Sequence, residues 1–416
     1  MPPVGAPVDS PCRLRTTLPE AYKVSVPDRT AMKNVRHACP APMPSGVDMK
    51  KRILAAALFA ALPCLSLADG RIVIGQSAPL TGANAEIGKD IRDGALAWFK
   101  RVNSTGGVNG KTIELITLDD KNDRKTAGAN ATRLVNQNGA SALFGFASAT
   151  LSLDAMPIVN EKKVPFFAPF TGADAIKKMG PYVFTIRASY ADELEKILDH
   201  WSQLGISRVT VLHYDDEIGN QNYATVERYM KAAGKQAVSV KIKRNAEVGK
   251  ETVDAIIKSD PQVVVVTTLF TPTAKVAKGL RAANRMYSMT TLSFTGPSQL
   301  AKAGGKDVEG ISIAGVVPAP SRSSVLAVRE CGEAIKAAGV ADLNYTNLEA
   351  CIAARILVEG IRRGGKDVTR ESIYKGLQAL GTYDAGGYVV SFSDTERHGS
   401  KYVDLAVIGK GGVFRF

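Results

Sequence analysis

The sequence predicts an α/β protein in which parallel sheets are covered by helices on both faces, built as two successive blocks. Three observations carry this expectation. Short apolar runs alternate with stretches of helical periodicity from residue 71 to about residue 363, the pattern of βαβ units. The joints between them are marked by Gly, Asn and Pro. The 348 residues after position 68 also exceed what a single core usually serves, so two sheets are expected.

The elements follow in order. Arg71–Gln76 reads as a short buried strand ending in the turn Pro79–Gly82. A helix follows from Ile87 to Asn103, with Ala95, Trp98, Phe99 and Val102 on one face, and Gly106-Gly107 ends it because glycine takes a left-handed backbone cheaply. Asn109-Gly110 turns the chain into a strand over Lys111–Leu118. Next come helix 126–138, strand Ala142–Gly145, helix 150–161, strand Val164–Phe167 and strand Tyr182–Ile186. The second block runs helix 190–204, strand Arg208–His213, helix 219–233, strand Ala237–Ile242 and helix 250–258. Gln262–Thr267 is apolar on both faces, which marks a central parallel strand. Helix 272–285, strands Met289–Leu292 and Gly310–Val316, and long helices near 322–338 and 345–363 complete the alternation. Segments 386–392 and 401–415 read as paired strands.

The N-terminal part reads differently. Residues 1–48 hold 9 of the 20 prolines and show no apolar periodicity, so they are expected to be disordered or to lie upstream of the true start. Met49-Lys50-Lys51-Arg52 then opens an apolar run over Ile53–Leu62, followed by Pro63-Cys64-Leu65-Ser66-Leu67-Ala68. A basic cluster, a short apolar stretch and a small-residue ending are the features of a secretory signal peptide, here 49–68. The run is too short for a membrane-spanning helix, and Pro63 stands where a lipidation signal wants a small residue. The expectation is a mature chain from Asp69, free in the periplasm.

Composition excludes some functions. The formal charge is +13, but after position 68 there are 44 basic and 36 acidic residues, alternating in sign. No basic block of the kind that tracks phosphates occurs, so nucleic acid is not an expected partner. GxSxG, GxxxxGK[ST] and GxGxxG are absent, and no cofactor is expected. The histidines, His37, His200, His213 and His398, lie far apart without HExxH, and no CxxC occurs, which argues against a metal site. Cys331 and Cys351 remain after the leader. In an oxidising compartment they are compatible with a disulfide, and equally with two buried thiols.

Ligands of open α/β sheets bind beyond the carboxyl ends of the strands. Asp119-Asp120 and Asp215-Asp216-Glu217 follow strands, but adjacent acids on a loop more commonly cap the next helix. Two other loops suit a ligand better. Phe146-Ala147-Ser148-Ala149-Thr150 offers hydroxyls and free backbone N–H groups to a carboxylate, and Pro169-Phe170-Thr171-Gly172-Ala173 repeats the arrangement. Helix capping by Ser148 and Thr171 is the plainer alternative.

The run Gly94-Ala95-Leu96-Ala97-x-Phe99, with Asn103, Gly106-Gly107-Val108-Asn109-Gly110-Lys111 and Asp119-Asp120, resembles the branched-chain amino-acid-binding proteins, the type I periplasmic receptors of ABC importers. Phe144-Gly145, Pro157-Ile158, Val164-Pro165, Pro169, the turn Tyr214–Gly219, Tyr345-Thr346-x-x-Glu349-Ala350 and Leu357-Val358-Glu359-Gly360 continue the likeness over 71–416. The resemblance implies a type I periplasmic-binding-protein fold: two Rossmann-like lobes, 71–187 plus 319–384 and 188–318 plus 385–416, joined by three hinge crossovers. It implies a small-molecule ligand held between the lobes, a membrane permease as partner, and no catalysis. The family's ligand contacts fall on Ala149, Thr150, Phe170 and Gly172, with Ser148 and Thr171 beside them.

The chain departs from the family where ligand chemistry is decided. Ile87 and Ile218 stand where the amino-acid binders place tyrosines, and Gly296 stands near the position of their acidic ammonium partner. Glu86, Asp216 and Glu217 are the candidate substitutes, and Phe270 is a candidate wall of the second lobe. These departures leave both an amino acid and an aromatic or aliphatic acid as ligand. Two other functions fit the same pattern: a ligand-sensing receptor that signals to a partner, and, more remotely, a secreted hydrolase-type enzyme using the acidic loops.

Overall fold

A computed structural model describes residues 70–178 and 180–415. The leader at 49–68, the start at Met49 and the segment 1–48 lie outside the described residues, as do Cys12, Cys39, Cys64, His37 and Asp69.

The first block alternates β1 (Arg71–Ala78), α1 (Ala85–Ser104), β2 (Thr112–Asp119), α2 (Arg124–Asn136), β3 (Ala142–Phe144), α3 (Ala149–Leu153), α4 (Met156–Glu161), β4 (Phe166–Phe167), α5 (Asp174–Lys177) and β5 (Val183–Phe184). The second runs α6 (Tyr190–Gln203), β6 (Arg208–Tyr214), α7 (Glu217–Ala232), β7 (Gln236–Ile242), α8 (Lys250–Lys258), β8 (Val263–Thr267), α9 (Phe270–Ala282), β9 (Ser288–Thr291), α10 (Pro297–Gly304) and β10 (Ser312–Gly315). Helices α11 (Leu326–Ala337), α12 (Tyr345–Arg363) and α13 (Arg370–Gln378) then precede β11 (Thr382–Asp384), β12 (Val389–Ser391), β13 (Asp404–Ile408) and β14 (Phe414–Arg415).

The first sheet has the order β2-β1-β3-β4-β5, all parallel. The second repeats that order as β7-β6-β8-β9-β10, with β13 and β14 added antiparallel beyond β10. In each sheet the order reverses beside the first strand of the block, where a crevice opens at the carboxyl ends. Val263–Thr267 is buried along its whole length and lies between β6 and β9, the central position its composition predicts. The edge strand β7 instead alternates exposed and covered residues.

The path of the chain links the two sheets three times. It leaves the first sheet after β5 and returns after β10, when α11, α12 and α13 join the core that backs β1 and α1. After the β11–β12 ribbon it passes to the second sheet at β13. The segments 386–392 and 401–415 therefore do not pair with each other. Val389–Ser391 pairs with Thr382–Asp384, and Asp404–Ile408 lies between β10 and β14.

Other differences from the sequence reading have local causes. The single helix expected over 150–161 is two short ones, because Pro157 in the first turn of α4 brings no N–H to continue the helix before it. Helices α10 and α13 were not anticipated. The first follows Gly296 in the left-handed region and has Pro297 in its first turn. The second is opened by Thr369 and Ser372, each side chain bonded to the other's backbone N–H. Cys331 on α11 and Cys351 on α12 are joined as a disulfide, both side chains buried.

Candidate functional site

The carboxyl ends of both sheets meet around one cavity. From the first sheet come Ser148, Ala149 and Thr150, in the loop after β3 and the start of α3. Tyr190 enters from the first turn of α6. The second sheet supplies Tyr214 at the end of β6 with Asp216 and Ile218 beyond it, Arg244 after β7, Thr267 at the end of β8 with Leu269 beyond it, and Phe294 after β9. The enclosed space is about 20 Å³, room for about one water molecule. A larger solute does not fit this space as it stands.

Aromatic rings form much of the wall. Tyr190 and Phe294 lie with centroids 4.9 Å apart, and the Arg244 guanidinium lies 4.4 Å over the Tyr214 ring. Arg244 also donates through Nη2 to Asp216 (2.9 Å) and to the Thr150 hydroxyl (3.3 Å). Asp216 is the N-cap of α7 and accepts the Gly219 N–H at 2.9 Å, while the Thr150 hydroxyl reaches it at 3.3 Å. Burial would raise the Asp216 pKa, but Arg244 and the Gly219 N–H hold it below the ordinary carboxylate range. Thr150, on the first-sheet side, is thus bonded to a charged pair carried by the second.

Beside the cavity an apolar cluster contains Ile87, Ala147, Phe170, Leu269 and Phe270. The sequence-predicted residues Ile87, Phe170 and Phe270 thus belong to one apolar cluster, but none of the three lines the cavity itself. Gly296, at φ 83°, lies within reach of the Ile87 side chain and carries no acid. Thr171 accepts the Ala173 N–H at 3.0 Å, a local turn, and Gly172 accepts the Tyr190 N–H through its carbonyl at 2.8 Å. Ser148 makes no side-chain cap. The helices these loops open, α3 and α5, have five and four residues, so the helix dipole expected there is small.

Two candidate ammonium partners lie away from the cavity. Glu86 is turned to an outer groove, 3.7 Å from Lys302, and Glu217 points to Arg124 at 3.7 Å. Neither lines the cavity; Asp216 alone of the three does so. The acidic loop after β2 is structural. Asp119 accepts the Leu80 and Lys121 N–H groups and the Thr81 hydroxyl. Asp120, pushed up to about 6 by burial, accepts from Ser77 and Asn122.

Sequence reasoning missed a second charged group, at the first crossing. Arg187 follows β5 and is buried between the Phe170 ring, 4.5 Å away, and Glu349 of α12, 3.2 Å away. Its Nη2 donates to the Ser293 hydroxyl, which donates in turn to Glu193 of α6. Burial would lower the arginine's pKa, yet Glu349 and Glu193 hold it above its ordinary value; burial pushes both glutamates up to about 7. The signal was a lone arginine at the carboxyl end of an apolar strand.

Fold and cavity together define a type I periplasmic binding protein. The chain belongs to the periplasmic binding protein family, whose model matches residues 71–412. It is similar to the leucine-, isoleucine-, valine-, threonine- and alanine-binding protein of Pseudomonas aeruginosa, 27% identical over 52% of this chain and 57% of that one. An amino acid binding protein from the same organism is 34% identical over 29% of this chain and 32% of its own length. The matched stretches thus span about a third to a little over half of these curated relatives. A substrate-binding periplasmic protein from Ralstonia solanacearum, solved by crystallography, is 33% identical with a TM-score of 0.78, covering 82% of this chain and 99% of that one. A possible leucine/isoleucine/valine-binding protein from Rhodopirellula baltica is 26% identical with a TM-score of 0.79, covering 82% and 95%. No helix among the described residues is long and apolar enough to cross a membrane.

Proposed function

We propose that the chain is the periplasmic solute-binding component of an ABC importer, exported by the leader at 49–68. Its two lobes, one built on each sheet, close on a small ligand that bears a carboxylate. The observation that carries this reading is a cavity where the carboxyl-end loops of both sheets meet. A ligand touching both sides favours the closed form only through contacts the open form lacks, and this cavity draws on both sides. The hydroxyls of Ser148 and Thr150 and the neighbouring backbone N–H groups receive the carboxylate, while Ile218, Leu269 and the aromatic rings exclude water from its body. The closed form then docks on a membrane permease.

Thermal melting of the exported protein against branched-chain amino acids and aromatic and aliphatic acids tests the binding step. A ligand at about 100 times its Kd adds roughly 2.7 kcal/mol of stability. Uptake of the responding compound by cells lacking the gene tests the import step. Loss of high-affinity uptake is expected. Unchanged uptake with a lost transcriptional response would make the protein a sensor, and recovery of a chemically altered compound would make it an enzyme.

A further inference from the structure

On the solute-binding reading above, we propose that Arg244 is the anchor by which the second sheet holds the ligand's carboxylate, and that the preferred ligand is a carboxylic acid without an α-ammonium group.

Arg244 is placed deliberately. It sits in the turn Lys243–Ala246 after the edge strand β7, where Asn245 takes a left-handed backbone at φ 62°. Asn245 exchanges hydrogen bonds with Asn122, on the loop after β2, at 2.8 and 3.4 Å. The turn is thereby held against the first-sheet side, and the Arg244 guanidinium lies over the Tyr214 ring with Nη2 directed at Asp216 and Thr150. A planar guanidinium fixed in this way offers its remaining N–H groups in set directions. One of them, Nε, is buried with no hydrogen-bond partner among the described residues. A buried donor of a charged group gains most from an anionic acceptor.

The acids, by contrast, are already committed. Asp216 accepts from Gly219, Arg244 and Thr150, so an ammonium would compete with a guanidinium for a carboxylate that is neutralised. Glu86 and Glu217 face Lys302 and Arg124, and Gly296 has no side chain to offer. An α-ammonium would be desolvated here without a partner, whereas a carboxylate beside Thr150 meets the backbone N–H groups that open α3 on one side and the Arg244 guanidinium on the other. Ile218, Leu269 and the rings of Tyr190, Tyr214 and Phe294 suit an apolar or aromatic body.

The test is calorimetric titration of the exported chain with isovalerate, phenylacetate, leucine and leucinamide, repeated with Arg244→Gln, Arg244→Lys and Asp216→Asn. At least one of the two plain acids is expected to bind more tightly than leucine, with no binding of leucinamide. Arg244→Gln should weaken acid binding about 10- to 100-fold, and Arg244→Lys, which keeps the charge, should recover part of it. Should Arg244→Gln fail to fold, Arg244→Lys carries the comparison, since a lysine cannot reproduce the planar fork of donors. Acid binding unchanged in both arginine variants would overturn the proposal. So would leucine as the tightest ligand with its binding abolished in Asp216→Asn; that outcome leaves solute binding intact and moves the recognition to the ammonium. Silence from all four probes would overturn both the proposal and the carboxylate ligand class on which it rests.

Discussion

The Arg187 guanidinium stands 3.2 Å from the Glu349 carboxylate, with the two side chains 1% and 7% exposed. One belongs to the first crossing between the sheets and the other to α12, which packs behind the first sheet. A second carboxylate, Glu193 on α6, is reached through Ser293 after β9. A single buried cation thus ties together segments from both sides of the molecule.

Removing that cation is expected to be costly. Arg187→Met leaves two buried carboxyl groups without their counter-charge and should destabilise the fold by about 3–5 kcal/mol. Adding Glu349→Leu and Glu193→Gln to it should recover much of the loss. Urea melts of the single and triple variants provide the check, and a single variant within about 1 kcal/mol of the parent would mean that the pair contributes little.

The same site predicts a pH dependence of definite sign. Burial raises Glu193 and Glu349 to about 7, above the value of an unfolded glutamate. Between roughly pH 4.5 and 7 the native state therefore binds more protons than the unfolded state at these positions. Their stabilising contribution is full below the unfolded pKa and is lost as pH rises through 7. Glu349→Gln removes one of the two groups, so its stability should fall less steeply than the parent's between pH 5 and 8. Parallel stability profiles across that range would show that Glu349 does not titrate as described.

The disulfide between Cys331 and Cys351 spans 20 residues of sequence. Closing a loop of that length in the unfolded chain is worth about 3 kcal/mol in the chain-entropy account. The Cys331→Ser, Cys351→Ser protein should lose about that much in a urea melt. Both sulfurs are buried, so the native protein should resist dithiothreitol and be reduced at the rate at which it opens. Rapid reduction of the folded protein would contradict the burial.

Helix α1 lies so close to α12 that a methyl group at Gly94 would stand 2.1 Å from the Asn347 carbonyl oxygen. The obstacle is backbone, so relief requires the helices to move apart. Gly94→Ala is expected to cost at least about 1–3 kcal/mol, despite alanine's better helix propensity. A neutral or stabilising effect on the melting midpoint would show that the two helices separate freely.

How much of this was legible depended on how local each cause is. Val263–Thr267 announced a central strand because a strand covered on both faces must be apolar at every position. Asp216 as a cap was equally local, since it bonds the N–H three residues on. The break before Met156 was written in Pro157 and still overlooked within a helical pattern. The charged groups were a different matter. Arg187 meets Glu349 across 162 positions of sequence, and Arg244 meets Thr150 across 94. No spacing rule reaches that far; only the tertiary packing of distant segments brings those partners together.

Tyr388 carries the remaining prediction. It lies just before β12, on the chain's way to its third crossing, and its buried hydroxyl reaches the carbonyl oxygens of Ile186 and Val316. Those carbonyls belong to the first and second crossings, so one phenol holds three passing segments in register. Tyr388→Phe keeps the ring, which packs 6.3 Å from Tyr402, and removes only the donor. With two buried acceptors sharing the loss, the expected cost is about 1–3 kcal/mol. A merely structural tyrosine would change stability and nothing else. A tyrosine that sets the relative disposition of the crossings would also alter how readily the sheets part, and hence ligand affinity. Melting and calorimetry on the same variant separate the two. An affinity unchanged at reduced stability would leave Tyr388 a packing residue, while a shift in affinity beyond about threefold would place it among the groups that govern opening.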